Sequence, residues 1–402
     1  MDCTEEPAWL GAMQQVLDRS HLWKPGQVGE TVGTVMAEIG VTTTIYLVDH
    51  EQRSLRPLPE PGRKTPEPAA VDQTLAGRAF ALVRSYPGED DGRARWWVPM
   101  VNGTDRLGVI DFLLPPGLPA EAPRVRDRCE MFAGLVGHLI TTCMPRGDEL
   151  HRVRRSQPMS PASELLWQLL QPLTVATDEL AVAAVLEPCY AVGGDGYDYA
   201  IDGHLASLAV LDGVGHGLSA GLATAVALAS IRAARRDGQD LSGQARAADA
   251  ALFAEFPDAR FVTAFLAELD LRAGRLRHLN AGHPAPLLLR QSTAVAEISG
   301  GRRLPLGLGN RGAQVGEQRL EPGDRLLLYT DGITEARDAD GKQFGRDRLI
   351  ALAEQHTGSL PVPEAVRRLS HAVVEHQHGP PRDDATLLLA EWSPGAARRV
   401  VP

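Results

Sequence analysis

Four aspartates in the second half of the chain occupy positions that could bind metal ions. They occur in the stretches AVGGDGYDY, LDGVGHG, LLLYTDG and RDDATLLL, as Asp195, Asp212, Asp331 and Asp383. Each lies at the end of, or just beside, an apolar run that is typical of a strand. Strand ends in one sheet can converge on a single edge, and clustered carboxylates repel one another unless a cation neutralises them. Because hard oxygen ligands suit Mg²⁺ or Mn²⁺, the pattern predicts a di-metal hydrolase site.

Glycines flank three of the four aspartates. Glycine has no Cβ, so it lets the backbone approach a metal ion closely and adopt positive φ. The glycines concerned are Gly193, Gly194, Gly213, Gly215 and Gly217. We expect the carbonyl oxygen of Gly213 to be a ligand beside the carboxylate of Asp212. Each motif alone has a simpler explanation, since an Asp-Gly pair is more often a turn than a metal site. The combination of motifs within one domain is what indicates chemistry.

Length and composition limit the classes of protein to consider. The 402 residues favour two domains, and the net charge of −10 argues against nucleic acid as a partner. No apolar run approaches the roughly 18 residues of a membrane-spanning helix, and the N-terminus lacks the basic start of a signal peptide. Four scattered cysteines without a CxxC pair are typical of reduced thiols. We therefore expect a soluble, cytoplasmic protein that does not bind membranes.

The elements that must position the aspartates follow from apolar periodicity. Residues 1–145 alternate helical and strand-like segments, which predicts an α+β domain. Residues 146–172 are predicted to be a linker and a helix, with the helix at 163–170. Residues 173–392 contain runs of strands interrupted by pairs of helices, which predicts an α/β domain built as a β-sandwich flanked by helices. Residues 393–402 are predicted to be a disordered tail.

The second domain resembles the metal-dependent protein phosphatase (PPM, type 2C) family. The resemblance lies in six motifs that occur in the family's order over about residues 162–392. They are VGGDGYDY, LDGVGHG, FVTAFLAELD…LRHLNAGHPAPLLL, LPLGL, PGDRLLLYTDGITEARD and RDDATLLL. The closer match is the bacterial branch typified by the sporulation stage II phosphatase E (SpoIIE) and the stress-response phosphatases.

The resemblance implies a site and a reaction. Asp195, Asp212, the Gly213 carbonyl, Asp331 and Asp383 would hold two Mn²⁺ or Mg²⁺ ions, with Asp212 bridging them. The ions would activate a water that hydrolyses phosphoserine or phosphothreonine on a regulatory protein of the anti-sigma-factor antagonist class. Asp384 would support the ligands, as would Thr263 and Asn280 near the NAGHP segment. His216 could protonate the leaving group, although its spacing differs from that of the histidine in the eukaryotic-type enzymes.

Residues 1–145 resemble a GAF sensor domain through their helix–strand–helix order and the hairpin WWVPMVNGTDRLGVIDFLL. This resemblance implies a domain that binds a small-molecule effector or dimerises, and hence a homodimer. The resemblance of the second domain to the bacterial phosphatase branch implies that a switch helix near residues 163–172 transmits the signal to the metal site. The sequence thus predicts a phosphatase regulated by an N-terminal sensor.

Two other functions fit part of the pattern. One is a catalytically silent, PPM-shaped signalling scaffold, which the complete set of four aspartates disfavours. The other is an unrelated metal hydrolase that acts on a small phosphate ester, which the ordered motifs disfavour. Activity on a phosphopeptide but not on small metabolites would separate this last function from a protein phosphatase.

Overall fold

The structure, a computed structural model, describes residues 6–122, 124–188, 190–191, 193–256, 260–309, 314–358, 360–378 and 383–401. The chain divides into two compact units, Met1–Gln157 and Pro158–Val400. Cys129 and Cys143 are free and buried, whereas Cys3 and Cys189 lie outside the described residues. Among the helices in the described ranges, none is both long enough and apolar enough to cross a membrane.

A six-stranded antiparallel sheet forms the centre of the first unit. Its strands are β1 (Thr42–Val48), β2 (Ser54–Pro57), β3 (Ala69–Ala70), β4 (Tyr86–Asp90), β5 (Arg93–Asn102) and β6 (Asp105–Leu113). They are arranged in the order β3-β2-β1-β6-β5-β4. Residues 58–68 form the loop between β2 and β3.

Helices cover both faces of this sheet. They are α1 (Glu6–Ser20), α2 (Val28–Ala37), α3 (Leu75–Leu82), α4 (Val125–Cys143) and α5 (Glu149–Val153), with a short 3₁₀ turn at Pro25–Gln27 and another at Met144–Arg146. On one face the rings of Trp9, Phe112 and Phe132 lie with centroids 6.1–6.3 Å apart. On the other face Phe80 of α3 is buried against the sheet. The unit therefore has two apolar layers separated by one sheet.

Two sheets packed face to face form the second unit. One sheet contains β9 (Asp195–Asp202), β10 (Leu205–Gly213), β11 (Val262–Asp270), β12 (Arg275–Ala281), β15 (Arg302–Arg303) and β16 (Gly316–Arg319). The other contains β7 (Thr174–Ala176), β8 (Leu180–Glu187), β13 (Leu287–Arg290), β14 (Thr293–Glu297), β17 (Asp324–Tyr329) and β18 (Ala385–Trp392). Their orders are β15-β12-β11-β10-β9, with β16 also on β12, and β14-β13-β17-β18-β8-β7. Tyr197 and Phe265 of the first sheet share one apolar core with Leu328 and Leu388 of the second.

Helices flank the sandwich, as the alternation of strand runs and helix pairs predicts. They are α6 (Pro161–Leu169), α7 (Leu218–Arg236), α8 (Leu241–Glu255), α9 (Asp331–Glu335), α10 (Arg346–Thr357), α11 (Val362–Gln377) and α12 (Ala396–Val400). Leu228 of α7 and Leu252 of α8 pack with Leu211 and Leu266 on the outer face of the β9–β12 sheet. The outer side of the second sheet is contacted by α11 at β8 and β18.

Two predicted boundaries are revised. Residues 146–172, predicted to be a linker and a helix, contain two helices, of which α5 belongs to the first unit and α6 to the second. The start of α6 is set by Ser160, whose Oγ accepts a hydrogen bond from the backbone N–H of Ser163 at 3.1 Å.

The prediction of a disordered tail at 393–402 is wrong over most of its length. Residues Ala396–Val400 form α12, and Ala396 and Val400, four residues apart on one helical face, are buried. The backbone N–H groups of Ala396 and Ala397 donate to the carbonyl oxygens of Asp178 and Thr177 at 3.1 and 2.9 Å. Burial of one small apolar face together with these hydrogen bonds orders the segment. Residue 402 lies outside the described residues.

Candidate metal centre

Strand register brings the first two predicted ligands together. Asp195 is the first residue of β9, Asp212 is the last but one of β10, and the two are direct cross-strand partners. In an antiparallel pair such residues project on the same face, with Cβ atoms about 5 Å apart. Asp331 directly follows Thr330 beyond β17, and Asp383 precedes β18, the strand paired with β17. Each sheet thus contributes two of the four aspartates.

Asp195 joins the two sheets. Its side chain is only 1% exposed, and its Oδ2 accepts hydrogen bonds from the hydroxyls of Thr330 at 2.7 Å and Thr386 at 2.8 Å. Burial and the charges of Asp212 and Asp384 raise the pKa of Asp195 well above its ordinary value, and the two threonine hydrogen bonds oppose this rise. The carboxylate is therefore fixed in position before any cation binds.

The electrostatics show which carboxylates face one another. Burial, followed by the charges of Asp331, Asp383 and Asp384, raises the pKa of Asp212 to about 7. Burial also raises the pKa of Asp331, to which Glu335 and Asp383 add, while the backbone N–H of Gly332 opposes the shift. Mutual repulsion of this kind requires the aspartates from both sheets to converge. A cluster of hard oxygen donors with raised pKa values suits a divalent cation, which would relieve the repulsion.

Asp384 organises the turn in front of Asp195. Its Oδ2 accepts hydrogen bonds from the backbone N–H groups of Gly193 at 2.6 Å, Gly194 at 2.5 Å and Asp195 at 3.3 Å. Burial raises the pKa of Asp384, and these three hydrogen bonds oppose the rise. The aspartate next to a predicted ligand therefore holds the backbone of the GGD motif, which sits 189 or more positions earlier in the chain.

The glycines serve two different purposes. Gly215 and Gly217 adopt φ of 100° and 74° in the loop between β10 and α7, as expected of glycine. Gly194 and Gly213 do not adopt positive φ, so the sequence-based reason given for them is wrong in that respect. A Cβ on Gly194 would overlap the carbonyl oxygen of Gly213, and one on Gly213 would lie 2.6 Å from Thr224 Oγ1. These two glycines allow close contact between backbone segments.

The NAGHP segment contacts the strand residue that is paired with Asp212. Asn280 donates to the His283 carbonyl at 2.9 Å and accepts from its N–H at 2.8 Å. His283 Nδ1 lies 2.9 Å from Thr263 Oγ1, and Thr263 is the cross-strand partner of Asp212. Burial lowers the pKa of His283 to about 3, opposed by the backbone at Tyr329, so the imidazole is neutral at pH 7. Sequence reasoning singled out Thr263 and Asn280 but missed His283.

Asp198 is the second aspartate of the AVGGDGYDY motif, and the sequence predicts no role for it. It is fully buried and lies three residues from Asp195, so its side chain projects on the opposite face of β9. Arg232 of α7 contacts its Oδ1 through Nε at 2.9 Å and Nη2 at 2.7 Å, and Arg235 Nη1 contacts its Oδ2 at 2.8 Å. Asp198 therefore anchors α7 to β9 and does not belong to the aspartate cluster. In the sequence, the spacing of Arg232 and Arg235, three residues apart on a predicted helix, was the feature that could have indicated a partner for Asp198.

The chain following α6 is held by the strand that begins at Asp195. The hydroxyl of Tyr197 donates to the Gln171 carbonyl at 2.6 Å, and that of Tyr199 donates to the Pro172 carbonyl at 2.8 Å. Any displacement of Gln171 and Pro172 would break contacts made directly by β9. His216, in contrast, lies exposed in the loop between β10 and α7.

The side chains are close but do not form a finished ligand set. Across the described ranges, no group of three or more His, Cys, Asp or Glu side chains already stands in a metal-binding arrangement. Asp195, Asp212, Asp331 and Asp383 therefore remain predicted ligands. The residues present nevertheless fit divalent cations through their chemistry, since five carboxylates share one edge and burial together with neighbouring charges raises the pKa values of four of them.

Comparison with known proteins agrees with this description of the second unit. Residues 202–393 match the model of the family described as Stage II sporulation protein E (SpoIIE). The second unit is therefore similar to this family over the matched residues. The matched range includes Asp212, Asp331 and Asp383 and begins after Asp195.

Curated relatives and a solved structure are similar to parts of this chain. Phosphoserine phosphatase RsbU of Bacillus subtilis is 24% identical over 53% of this chain and 63% of its own length. Phosphoserine phosphatase RsbP of the same organism is 27% identical over 40% of this chain and 41% of its own length. A crystal structure of the RsbU and RsbW domains of a Mycobacterium tuberculosis protein is 26% identical, covers 56% of this chain and 63% of that one, and has a TM-score of 0.49. This chain thus spans less than two thirds of each of these proteins.

Proposed function

We propose that the second unit is a metal-dependent serine/threonine protein phosphatase. The observation that carries the proposal is the convergence of Asp195, Asp212, Asp331 and Asp383 from two sheets. Burial and neighbouring carboxylates raise the pKa values of Asp195, Asp212 and Asp331. The relatives RsbU and RsbP are both named phosphoserine phosphatases, which supports the same activity.

Asp195, Asp212, Asp331, Asp383 and the carbonyl of Gly213 would hold two Mn²⁺ or Mg²⁺ ions. When bound, such ions supply a water of lowered pKa and positive charge opposite a phosphoryl group. The chain's own part is to keep these ligands in place: Thr330 and Thr386 fix Asp195, and Asp384 fixes the backbone before it. His283, which contacts the cross-strand partner of Asp212, is neutral and therefore adds no positive charge that would repel a cation.

The substrate we propose is a phosphorylated regulatory protein of the anti-sigma-factor antagonist class, in the cytoplasm. The first unit would be a GAF-like sensor that binds a small-molecule effector and forms a homodimer. Its single six-stranded antiparallel sheet with helices on both faces supports this assignment. The hydrogen bonds from Tyr197 and Tyr199 to Gln171 and Pro172 support the segment after α6 as the route by which the state of the sensor reaches β9.

The test is hydrolysis of a phosphoserine protein and of p-nitrophenyl phosphate with Mn²⁺ present and then chelated. We expect Mn²⁺-dependent turnover that Asp212→Asn abolishes. The matched control is Asp202→Asn, which changes an exposed aspartate at the far end of β9 and should leave turnover unchanged. Absence of turnover both in the full-length protein and after removal of residues 1–145, with Mn²⁺ bound, would contradict the proposal and favour a signalling scaffold. Turnover only after removal of residues 1–145 would identify the first unit as an inhibitor.

A further inference from the structure

A cavity of about 470 Å³ lies within the first unit. Its walls are the turn at Pro25–Gln27 with the start of α2, the chain from Arg56 to Pro59, the loop around Thr65, and helix α5. All of these residues belong to the same compact unit. The volume falls in the range of pockets that bind small organic molecules.

The walls are rigid and mainly apolar. Five of the lining residues are prolines, namely Pro25, Pro57, Pro59, Pro66 and Pro68. Each proline ring locks φ, so the wall is formed before a ligand arrives. The buried side chains of Leu58 and Leu150 add further apolar surface. Flat ring faces of this kind suit a ligand with a flat apolar body.

Charge at the cavity favours an anion. The Nε of Arg56 is buried and has no hydrogen-bond acceptor among the described residues. Arg152 brings a second guanidinium group to the lining, and Glu149 is the only carboxylate among the described residues that form this wall. That carboxylate lies against the backbone of Gly26, where a Cβ would overlap it. A buried N–H donor without an acceptor is costly, and an anionic ligand group would satisfy it.

We propose that this cavity binds a small organic anion with a flat apolar body, whose acidic group accepts a hydrogen bond from Arg56. The site is built partly by α5, which contributes Glu149, Leu150, Arg152 and Val153. A helix of five residues is marginal without tertiary contacts, so an occupied cavity stabilises α5. The chain runs from α5 through seven residues to α6 and the segment held by Tyr197 and Tyr199. Ligand binding at this cavity does not depend on the proposed phosphatase activity, whereas an effect of the ligand on turnover rests on the proposed function.

The test uses two fluorescent probes on the full-length protein. They are 1-anilinonaphthalene-8-sulfonate and N-phenyl-1-naphthylamine, which has the same rings without the sulfonate. We expect saturable binding of the sulfonate at one site, and slower hydrogen exchange at residues 149–153 when it is bound. Arg56→Gln should weaken sulfonate binding roughly tenfold or more, as expected for loss of a charge-assisted hydrogen bond, and should leave the neutral probe unaffected. Thr65→Trp, at an exposed lining residue, should exclude both probes.

The matched control is Arg53→Gln, an exposed arginine three residues before Arg56 and outside the lining, which should bind both probes as the wild type does. Sulfonate binding unchanged in both Arg56→Gln and Thr65→Trp would overturn the site. Equal affinity for the two probes, insensitive to Arg56→Gln, would overturn the anionic class of ligand. Binding is read by fluorescence and exchange, so a failure of phosphatase activity leaves this result intact, and a failure of probe binding leaves the proposed activity intact.

Discussion

Replacing Asp198 by Asn should loosen the attachment of α7 to β9 without removing a predicted metal ligand. The carboxylate is 0% exposed and contacts Arg232 and Arg235, whose side chains are 14% and 15% exposed. Asparagine keeps the size of the side chain but removes its charge, so two largely buried guanidinium groups lose their counter-ion. This cluster links the helix electrostatically to the strand that begins at Asp195.

The size of the effect follows from the burial of the three groups. Breaking a buried ion pair by removing one partner costs about 3–5 kcal/mol. Because both arginines keep some contact with solvent, we expect the lower end, about 3 kcal/mol. If this loss lowers the opening free energy of the β9–α7 contact, amide exchange there should become on the order of 100-fold faster.

Hydrogen exchange with mass spectrometry measures this change peptide by peptide. Peptides from 195–202 and 228–236 should lose protection in Asp198→Asn, whereas peptides from the first unit should not change and serve as an internal reference. Asp202→Asn, an exposed change in the same strand, should shift opening by less than about 0.5 kcal/mol. Protection in Asp198→Asn within twofold of the wild type would refute the anchoring role.

Three further outcomes are expected. Gly194→Ala should abolish Mn²⁺-dependent turnover and lower the melting temperature, since its Cβ would overlap backbone; an active, equally stable variant would contradict this. Thr386→Val removes one of two hydroxyls that bind Asp195 and should raise the Mn²⁺ concentration for half-maximal activity about tenfold, with unchanged circular dichroism. Burial and neighbouring cations lower the pKa of His50 to about 2, so the unfolded state binds more protons below pH 6.5. The free energy of unfolding by urea should then fall by about 1.4 kcal/mol between pH 7.5 and 5.5. His50→Gln should remove this pH dependence, whereas the control His21→Gln, at an exposed histidine, should keep it. An unchanged pH dependence of the unfolding free energy in His50→Gln would contradict the prediction.

Local pattern was sufficient for the main elements and for the list of candidate ligands. Apolar periodicity predicted the long helices and most of the long buried strands to within a few residues, because burial of one face repeats every 3.6 or 2 residues. It missed several strands, among them the buried β9, which begins at Asp195, and the short β14, β15 and β16. It also missed α12. A two-residue strand such as β15 contains too little sequence to show any period.

The amino-acid sequence by itself determined which residues could bind metal and that they sit at strand ends next to glycines. Only the tertiary structure decided which of them meet. Asp195 faces Asp212 because of the register of β9 and β10, and it contacts Thr330 and Thr386 because a second sheet packs on the first. Asp198, in the same motif, turns away to bind two arginines of α7. Side-chain direction alternates along a strand, and partners come from segments up to 191 positions away, so contacts of this kind arise from register and layer packing and not from local spacing.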